Sequence, residues 1–269
     1  MSRNKNRHKA IVNRSAGIHK LLRILMVICF LGLLCSGYIL MAEQREYRQG
    51  DEAYALLRTQ AESPLTVEKD IINVPSANDV NPVREIDFSA LKEVNPEVVA
   101  WISSEDQIID YPIVQGTDNE YYLTHLFNGK KNKLGSLFVD YRTAGDFSGQ
   151  NTIVYGHNMK DGSMFSSLGK YKDQEYFDKH PAMQLSTPSG VYTVEFFAGI
   201  VADGDYEFIR YQFHDDQDFL TYIDALKRDS TFKSDVSVAA NERIVALCTC
   251  SYEFNNARYA LFGKLVQTG

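Results

Sequence analysis

Two cysteines near the C-terminus are the residues whose type and spacing could carry covalent chemistry. The segment IVALCTCSYEFNNARYALFGKLV, residues 244–266, holds Cys248 and Cys250 in an apolar run, and Arg258 follows the second cysteine by eight residues. A cysteine attacks as its thiolate and needs a neighbour that exchanges protons with the reacting atoms. An arginine can donate hydrogen bonds to a developing oxyanion. The alternative is that both cysteines are inert residues of a buried strand.

His157 is the best candidate for the proton-exchanging neighbour. It follows the apolar run NTIVYG and precedes a polar loop, so it lies at a strand end, where functional sites are commonly built. Two other histidines, His8 and His19, lie in the basic N-terminal segment. The remaining three have polar or turn-like surroundings and are typical of surface residues: His125, His180 and His214.

The cysteines and the arginine also lie at predicted strand ends. Cys250 ends the run RIVALCT, and Arg258 opens the run RYALFGKLV, so a short loop between paired strands would hold them close together. Cys248 lies on the same face as Cys250 but deeper in its strand. A disulfide between them would be strained, because the bond favours Cα atoms about 5.5 Å apart and a torsion near 90°. We therefore expect free thiols.

Short β-like runs separated by turn residues must position these groups. The runs begin near residue 98 and are VVAWI, IIDYPIVQ, SLFVDY, NTIVYG, MQLST, GVYTVEFFAGIVA, RIVALCT and RYALFGKLV. Their spacing predicts a mainly β fold with a closed or nearly closed barrel of about eight strands. Residues 215–232 have helical periodicity and predict a helix inserted before the cysteine strand, with Asp215 or Asp216 as its cap. Residues 87–95 predict a short helix ahead of the barrel.

The N-terminus has the pattern of a membrane signal anchor. Residues 1–23 contain seven Lys or Arg and no acid, and residues 24–42, ILMVICFLGLLCSGYILMA, carry no charge. About 20 apolar residues span a bilayer core. Basic residues before the span, with Glu43 and Glu46 after it, predict a cytoplasmic N-terminus and an extracellular domain at the cell membrane. A cleaved signal peptide stays open, because the apolar run ends among small residues.

Charge and cysteine content restrict the function classes. Beyond residue 23 the chain has 21 basic and 35 acidic residues, a net charge of −14. Phosphate contacts need clustered Lys and Arg, so we expect no nucleic-acid partner. Of the four cysteines, Cys29 and Cys35 lie in the apolar run, which leaves too few for a disulfide-stabilised secreted domain.

Three motifs together resemble the class B sortases, cysteine transpeptidases of Gram-positive bacteria. ALCTCSYEFNNAR resembles the family signature, in which a threonine precedes the nucleophilic cysteine and an arginine opens the next strand. NTIVYGHNMKDGSMFSSL resembles the histidine segment, and GSLFVDYR fits the same class. The predicted helix at residues 215–232 matches the extra helix that these enzymes carry between their sixth and seventh strands. The resemblance covers roughly residues 85–269 and implies a sortase-like closed β-barrel.

The resemblance implies that Cys250, His157 and Arg258 form the catalytic set. The Cys250 thiolate would attack the threonine carbonyl of an Asn-Pro-x-Thr-Gly/Asn motif near the C-terminus of an exported protein, giving a thioacyl-enzyme. His157 would protonate the leaving amine and deprotonate the incoming one, while Arg258 would stabilise the oxyanion. The incoming amine would come from a peptidoglycan precursor, cross-bridge or stem peptide, which anchors the protein to the cell wall. No cofactor or metal is expected.

The resemblance also assigns a substrate-binding set. Its members match positions that line the groove, contact the first motif residues, form a groove wall or flank the nucleophile: Tyr155, Asn119, Leu123, Phe208, Ile209, Thr249 and Cys248. The chain departs from the family at two positions, since Cys248 stands where serine is usual and Ala246 where threonine is usual. Neither departure removes a catalytic group.

The predicted organisation has four parts: a basic cytoplasmic tail at 1–23, a transmembrane anchor at 24–42, an extracellular helical stalk and linker at 43–85, and a sortase catalytic domain at 86–269. Other functions stay open. Within the enzyme class these are a pilin-polymerising sortase with a lysine acceptor and a plain cysteine protease. Outside it they are a non-catalytic β-domain that binds cell-wall peptides and a metal site at Cys248 and Cys250, although the usual paired zinc-ligand spacing is missing.

Overall fold

The computed structural model describes residues 2–61, 85–204 and 209–268. The chain forms two compact units, Met1–Gln49 and Gly50–Gly269. A long helix, α1 (Ser2–Ala61), contributes to both units. Its segment from Leu25 onward is long and apolar enough to cross a membrane, and the apolar side chains from Leu25 to Met41 are exposed. This pattern suits either a membrane anchor or a signal sequence.

The second unit is built around a closed barrel of eight strands, which confirms the predicted fold class. The strands follow one another around the barrel in the order β1-β2-β3-β4-β7-β8-β6-β5. Their bounds are β1 (Val98–Ser104), β2 (Asp110–Val114), β3 (Leu137–Val139), β4 (Asn151–Tyr155), β5 (Ala182–Thr187), β6 (Gly190–Asp203), β7 (Ile244–Cys250) and β8 (Ala257–Gln267).

The sheet is mixed, and its parallel pairs determine where the site lies. β2 runs parallel to β3, and β4 runs parallel to β7, while the other neighbouring pairs are antiparallel. Because β4 and β7 are parallel, their C-terminal ends meet at one rim of the barrel. β7 returns into β8 by a short loop, so the start of β8 reaches the same rim.

Helices pack around the barrel. They are α2 (Phe88–Val94), α3 (Gln174–Lys179), α4 (Asp216–Arg228) and two 3₁₀ helices, Tyr121–Leu123 and Ser166–Lys172. Asp87 caps α2 by accepting from two backbone N–H groups, and Asp215 caps α4 by accepting from Asp218 N–H. The predicted helix before the cysteine strand is therefore confirmed as α4. Its apolar face packs on the barrel through Phe219, Tyr222, Ile223 and Leu226.

The C-terminal part of α1 packs tightly within the second unit. The Tyr54 hydroxyl donates to the Gly135 carbonyl at 2.6 Å, and Leu57 and Ala61 are fully buried. Arg58 pairs with the buried Asp110 carboxylate at 3.2 Å. Residues 50–61, which the sequence assigned to a stalk, therefore belong to the compact unit of the barrel.

Candidate active site

Strand register brings the predicted catalytic residues to one rim of the barrel. Cys250, the last residue of β7, pairs with Arg258 near the start of β8. Tyr155, the last residue of β4, pairs with Cys248 in the parallel β4–β7 ladder. His157 comes two residues after Tyr155 and Cys250 two residues after Cys248. The parallel register therefore carries the imidazole and the second thiol to the same level of the barrel.

The two thiols have different environments. Cys248 is 3% exposed, and burial raises the pKa of its thiol to about 12, although the nearby Arg258 charge lowers it. Cys250 is partly exposed at the strand end, and both cysteines are free. At neutral pH the Cys248 thiol is therefore protonated and shielded from solvent, whereas Cys250 can be reached from solution.

A backbone carbonyl orients the His157 imidazole. Nε2 lies 2.7 Å from the Leu123 carbonyl oxygen, so this nitrogen carries the proton of the hydrogen bond. Nδ1 is then the ring nitrogen left for proton exchange. The loop after His157 is attached to the cysteine strand, because Asn158 Nδ2 donates to the Cys250 carbonyl at 2.8 Å. The histidine loop and the cysteine strand are thus held together directly.

The Arg258 guanidinium is held by its own loop. Nη1 donates to the carbonyls of Asn256 at 3.4 Å and Ala257 at 3.2 Å. A Cβ placed on Gly204 would lie 3.1 Å from Arg258 Cζ, so glycine leaves room for the guanidinium there. No carboxylate within the ranges 85–204 and 209–268 forms an ion pair with Arg258.

A polar clamp fixes the loop between the cysteine and the arginine. Lys172, at the end of a 3₁₀ helix, donates to Ser251 Oγ at 2.8 Å and forms an ion pair with Glu253. Ser251 Oγ also donates to Glu253. Burial alone would raise the pKa of Glu253, but the hydrogen bonds from Lys172 and Ser251 outweigh it and hold that pKa at about 2. The clamp therefore stays ionised at neutral pH.

The predicted substrate residues lie in different environments. Leu123 is 37% exposed beside the imidazole, and Tyr155 is partly exposed on the same rim. Thr249 is buried, and its hydroxyl has no hydrogen-bond partner among the described residues. Ile209 packs against the α4 cluster of the barrel core. Phe208 lies outside the described residues.

Asn119 and Tyr155 share a partner that the sequence did not single out. The Tyr155 hydroxyl donates to Asp140 Oδ2 at 3.1 Å, and the Asn119 side chain helps to lower the pKa of Asp140. Asp140 is fully buried and forms a two-point ion pair with Arg142. The only sequence signal for this pair was the segment GSLFVDYR, which contains both residues.

Two curated relatives each match about two thirds of the chain. The chain is 40% identical over 178 residues to Sortase B of Listeria monocytogenes, and the match covers 65% of this chain and 72% of that protein. It is 32% identical over 182 residues to Sortase B of Staphylococcus aureus, covering 67% of this chain and 75% of that protein. No family model matches the chain.

Solved structures agree with these relatives. A Staphylococcus aureus sortase B–substrate complex superposes with a TM-score of 0.72 at 28% identity and covers 84% of this chain and 100% of that one. Sortase B from Bacillus anthracis in complex with AAEK2 superposes with a TM-score of 0.70 at 34% identity. The match covers 83% of this chain and 98% of that one.

Proposed function

The chain belongs to the class B sortases and is therefore a cysteine transpeptidase, and we propose that Cys250 is its nucleophile. The observation that carries this assignment is the register at the rim. It pairs Cys250 with Arg258, and the Asn158 bond to the Cys250 carbonyl holds the His157 loop beside them. Cys248 is too deeply buried to meet a substrate carbonyl.

The first half-reaction makes a thioacyl-enzyme. The Cys250 sulfur forms a bond to the threonine carbonyl carbon of the sorting motif, and the C–N bond to the next residue breaks. His157 Nδ1 first takes the proton of the Cys250 thiol and then passes it to the leaving amine, while the Leu123 carbonyl keeps the ring in place through Nε2. In the second half-reaction an incoming amine loses a proton to the same nitrogen and replaces the sulfur.

Arg258 stabilises both tetrahedral intermediates. Each intermediate carries a negative oxygen on the former carbonyl, and a guanidinium on the strand paired with Cys250 can donate to that oxygen. The two loop carbonyls that accept from Nη1 limit the movement of the guanidinium before substrate arrives. Its role is thus preorganised charge stabilisation.

The substrate is an exported protein with a C-terminal Asn-Pro-x-Thr-Gly or Asn-Pro-x-Thr-Asn motif, and the acceptor is an amine of peptidoglycan. The solved sortase B–substrate complex of the Staphylococcus aureus relative supports a peptide substrate. The apolar helix segment supports a membrane anchor, with residues 1–23 in the cytoplasm and the barrel outside. An enzyme placed there meets its substrates as they leave the membrane.

The test uses the full-length protein in detergent micelles with fluorogenic peptides that carry either motif. We expect cleavage after threonine and, with an added glycine or diaminopimelate amine, a threonine-linked amide product. Cys250→Ala should abolish both reactions, and the matched Cys248→Ala variant should keep them. Binding without a covalent product would instead favour the cell-wall peptide-binding domain, and a product formed only with a lysine side chain would favour pilin polymerisation.

A further inference from the structure

One buried carboxylate, which lies below the rim at the level of Ile153, connects residues that the catalytic groups leave unexplained. Asp140 follows β3 directly and is fully buried, and its backbone N–H donates to the Ile153 carbonyl of β4 at 2.9 Å. A buried carboxylate is costly unless charged or polar groups satisfy its oxygens. The groups that satisfy Asp140 come from its own loop and from the end of β4.

Arg142 supplies the charge that keeps Asp140 ionised. Its Nε donates to Oδ1 at 3.0 Å and its Nη2 to Oδ2 at 2.8 Å, and its backbone N–H also donates to Oδ1 at 2.9 Å. Burial would raise the pKa of Asp140, but these hydrogen bonds outweigh it and hold the pKa below the ordinary value. The Arg142 guanidinium stands over the Tyr211 ring at 5.0 Å, which connects the pair to the segment before α4.

The remaining partners belong to the predicted substrate set. The Tyr155 hydroxyl donates its proton to Oδ2, so that hydroxyl can only accept a hydrogen bond from a ligand. Asn119 Oδ1 accepts at 3.1 Å from the N–H of Tyr141, the residue after Asp140, and the Asn119 side chain helps to lower the pKa of the carboxylate. The segment of Asp140 and Tyr141 therefore fixes the place of both side chains, and the Asp140 carboxylate sets the hydrogen-bonding character of Tyr155.

We propose that Asp140 is the positioning residue of the substrate groove. It joins the Asn119 loop, the end of β4 and the Tyr211 segment, and it makes the Tyr155 hydroxyl an acceptor for an N–H of the sorting peptide. This proposal rests on the proposed function, since it deepens the recognition step of the same reaction. It assigns Asp140 no contact with the reacting atoms. Loss of Asp140 should therefore weaken peptide recognition and leave thiol chemistry unchanged.

The matched control is the other buried carboxylate that pairs with an arginine. Asp110 is 4% exposed, pairs with Arg58 and accepts from Trp101 Nε1 at 2.7 Å, yet it ties α1 to the barrel. Asp110→Asn makes the same chemical change as Asp140→Asn at a different place. Any effect that comes only from losing a buried charge should appear in both variants.

The experiment measures motif-peptide KM, kcat and the rate of Cys250 alkylation by iodoacetamide in the full-length protein. Asp140→Asn should raise KM roughly tenfold or more, because hydrogen bonds to a charged group are lost from the groove. It should change kcat and alkylation by less than about threefold. Tyr155→Phe, which removes one hydroxyl and keeps the ring, should raise KM in the same direction if Asp140→Asn does not fold. Asp110→Asn should leave KM unchanged.

A second readout separates this proposal from the proposed function. Binding of a fluorescent motif peptide is measured in the Cys250→Ala background, where no covalent step occurs, with and without Asp140→Asn. A set of peptides is also tested in which one backbone amide at a time is N-methylated. One of these methylations should weaken binding to the protein with Tyr155 and should have no effect on binding to Tyr155→Phe. Failure to cleave in the wild type would overturn the proposed chemistry. An unchanged Kd in Asp140→Asn, no peptide binding, or equal losses in Asp110→Asn would overturn the role of Asp140.

Discussion

Asp110 and Asp140 occupy two regions with nearly the same local chemistry and different consequences. Each carboxylate is buried and pairs with an arginine whose side chain is about one third exposed, at 32% for Arg58 and 35% for Arg142. Each also accepts a hydrogen bond from an aromatic side chain. The Asp110 group joins α1 to β1 and β2, whereas the Asp140 group joins the end of β4 to the segments that hold Asn119 and Tyr211. The elements that a buried ion pair connects therefore decide whether it serves stability or recognition.

The two regions also differ in what they leave unpaired. Around Asp110 the described polar side chains bond to one another, and the region is closed by buried aromatic residues such as Tyr54 and Trp101. At the rim the residues that hold the loops in place bond to one another, but the groups proposed to react are partly exposed. A site that must admit a peptide keeps its reactive groups open and places rigidity in the residues behind them.

The largest effect should come from the rim. Cys250→Ala should lower peptide cleavage by at least about three orders of magnitude, because the nucleophile of a covalent mechanism is lost. Thermal unfolding should be nearly unchanged, since this side chain is partly exposed at a strand end. Steady-state kinetics and calorimetry measure both quantities. Full activity in Cys250→Ala would mean that the nucleophile lies elsewhere.

Arg258→Lys should give the next largest loss at the rim. A lysine keeps the charge but loses the fork of donors, so we expect kcat to fall about a hundredfold, as for removal of one oxyanion donor. KM should change much less. Single-turnover acylation, followed by mass spectrometry, measures this step. Wild-type acylation in Arg258→Lys would contradict the proposed oxyanion role.

The Asp110 region should respond in the opposite way. Asp110→Asn should lower the free energy of unfolding by about 2 kcal/mol, because hydrogen bonds to a buried charge are weakened. The peptide kinetics should stay at wild-type values. Chemical denaturation and kinetics on one preparation test both statements. A raised KM in this variant would remove the distinction between the two regions.

The smallest effect should come from the clamp on the β7–β8 loop. The folded pKa of Glu253, about 2, lies below its ordinary value of 4.5, so the clamp stabilises the fold above about pH 4.5. This contribution is lost as pH falls through the folded pKa. The thermal midpoints of Glu253→Gln and wild type should therefore differ at pH 6 and converge near pH 2. A constant difference across that range would contradict the clamp's ionisation.

Much of the fold could be predicted from sequence because its signals are local. Alternating apolar runs and turn residues predicted all eight strands, and helical periodicity with an acidic cap predicted α4. The helix α3 and the 3₁₀ segment Ser166–Lys172 were missed, because they are too short for a periodic signal. The burial of Tyr54 and Leu57 depends on tertiary packing, which includes the hydrogen bond from Tyr54 to the distant Gly135.

The residues of the candidate site could be predicted from the sequence less completely than the strands and helices. Cys250, His157 and Arg258 stand at strand ends that the sequence marks, and the register places two of them opposite each other. The Asp140 group could not be predicted, because its members are brought together by the β3–β4 pairing and not by sequence spacing. The buried state of Thr249 and the Leu123 bond to His157 likewise arise from long-range contacts.

Trapping the acyl intermediate tests the central claim most directly. Full-length protein is mixed with a motif peptide without an added amine, quenched in acid within seconds, digested and sequenced by tandem mass spectrometry. The account predicts a threonine-terminated peptide in thioester linkage to Cys250, with Cys248 unmodified. An adduct on Cys248, or cleavage of the peptide without any cysteine adduct, would contradict it.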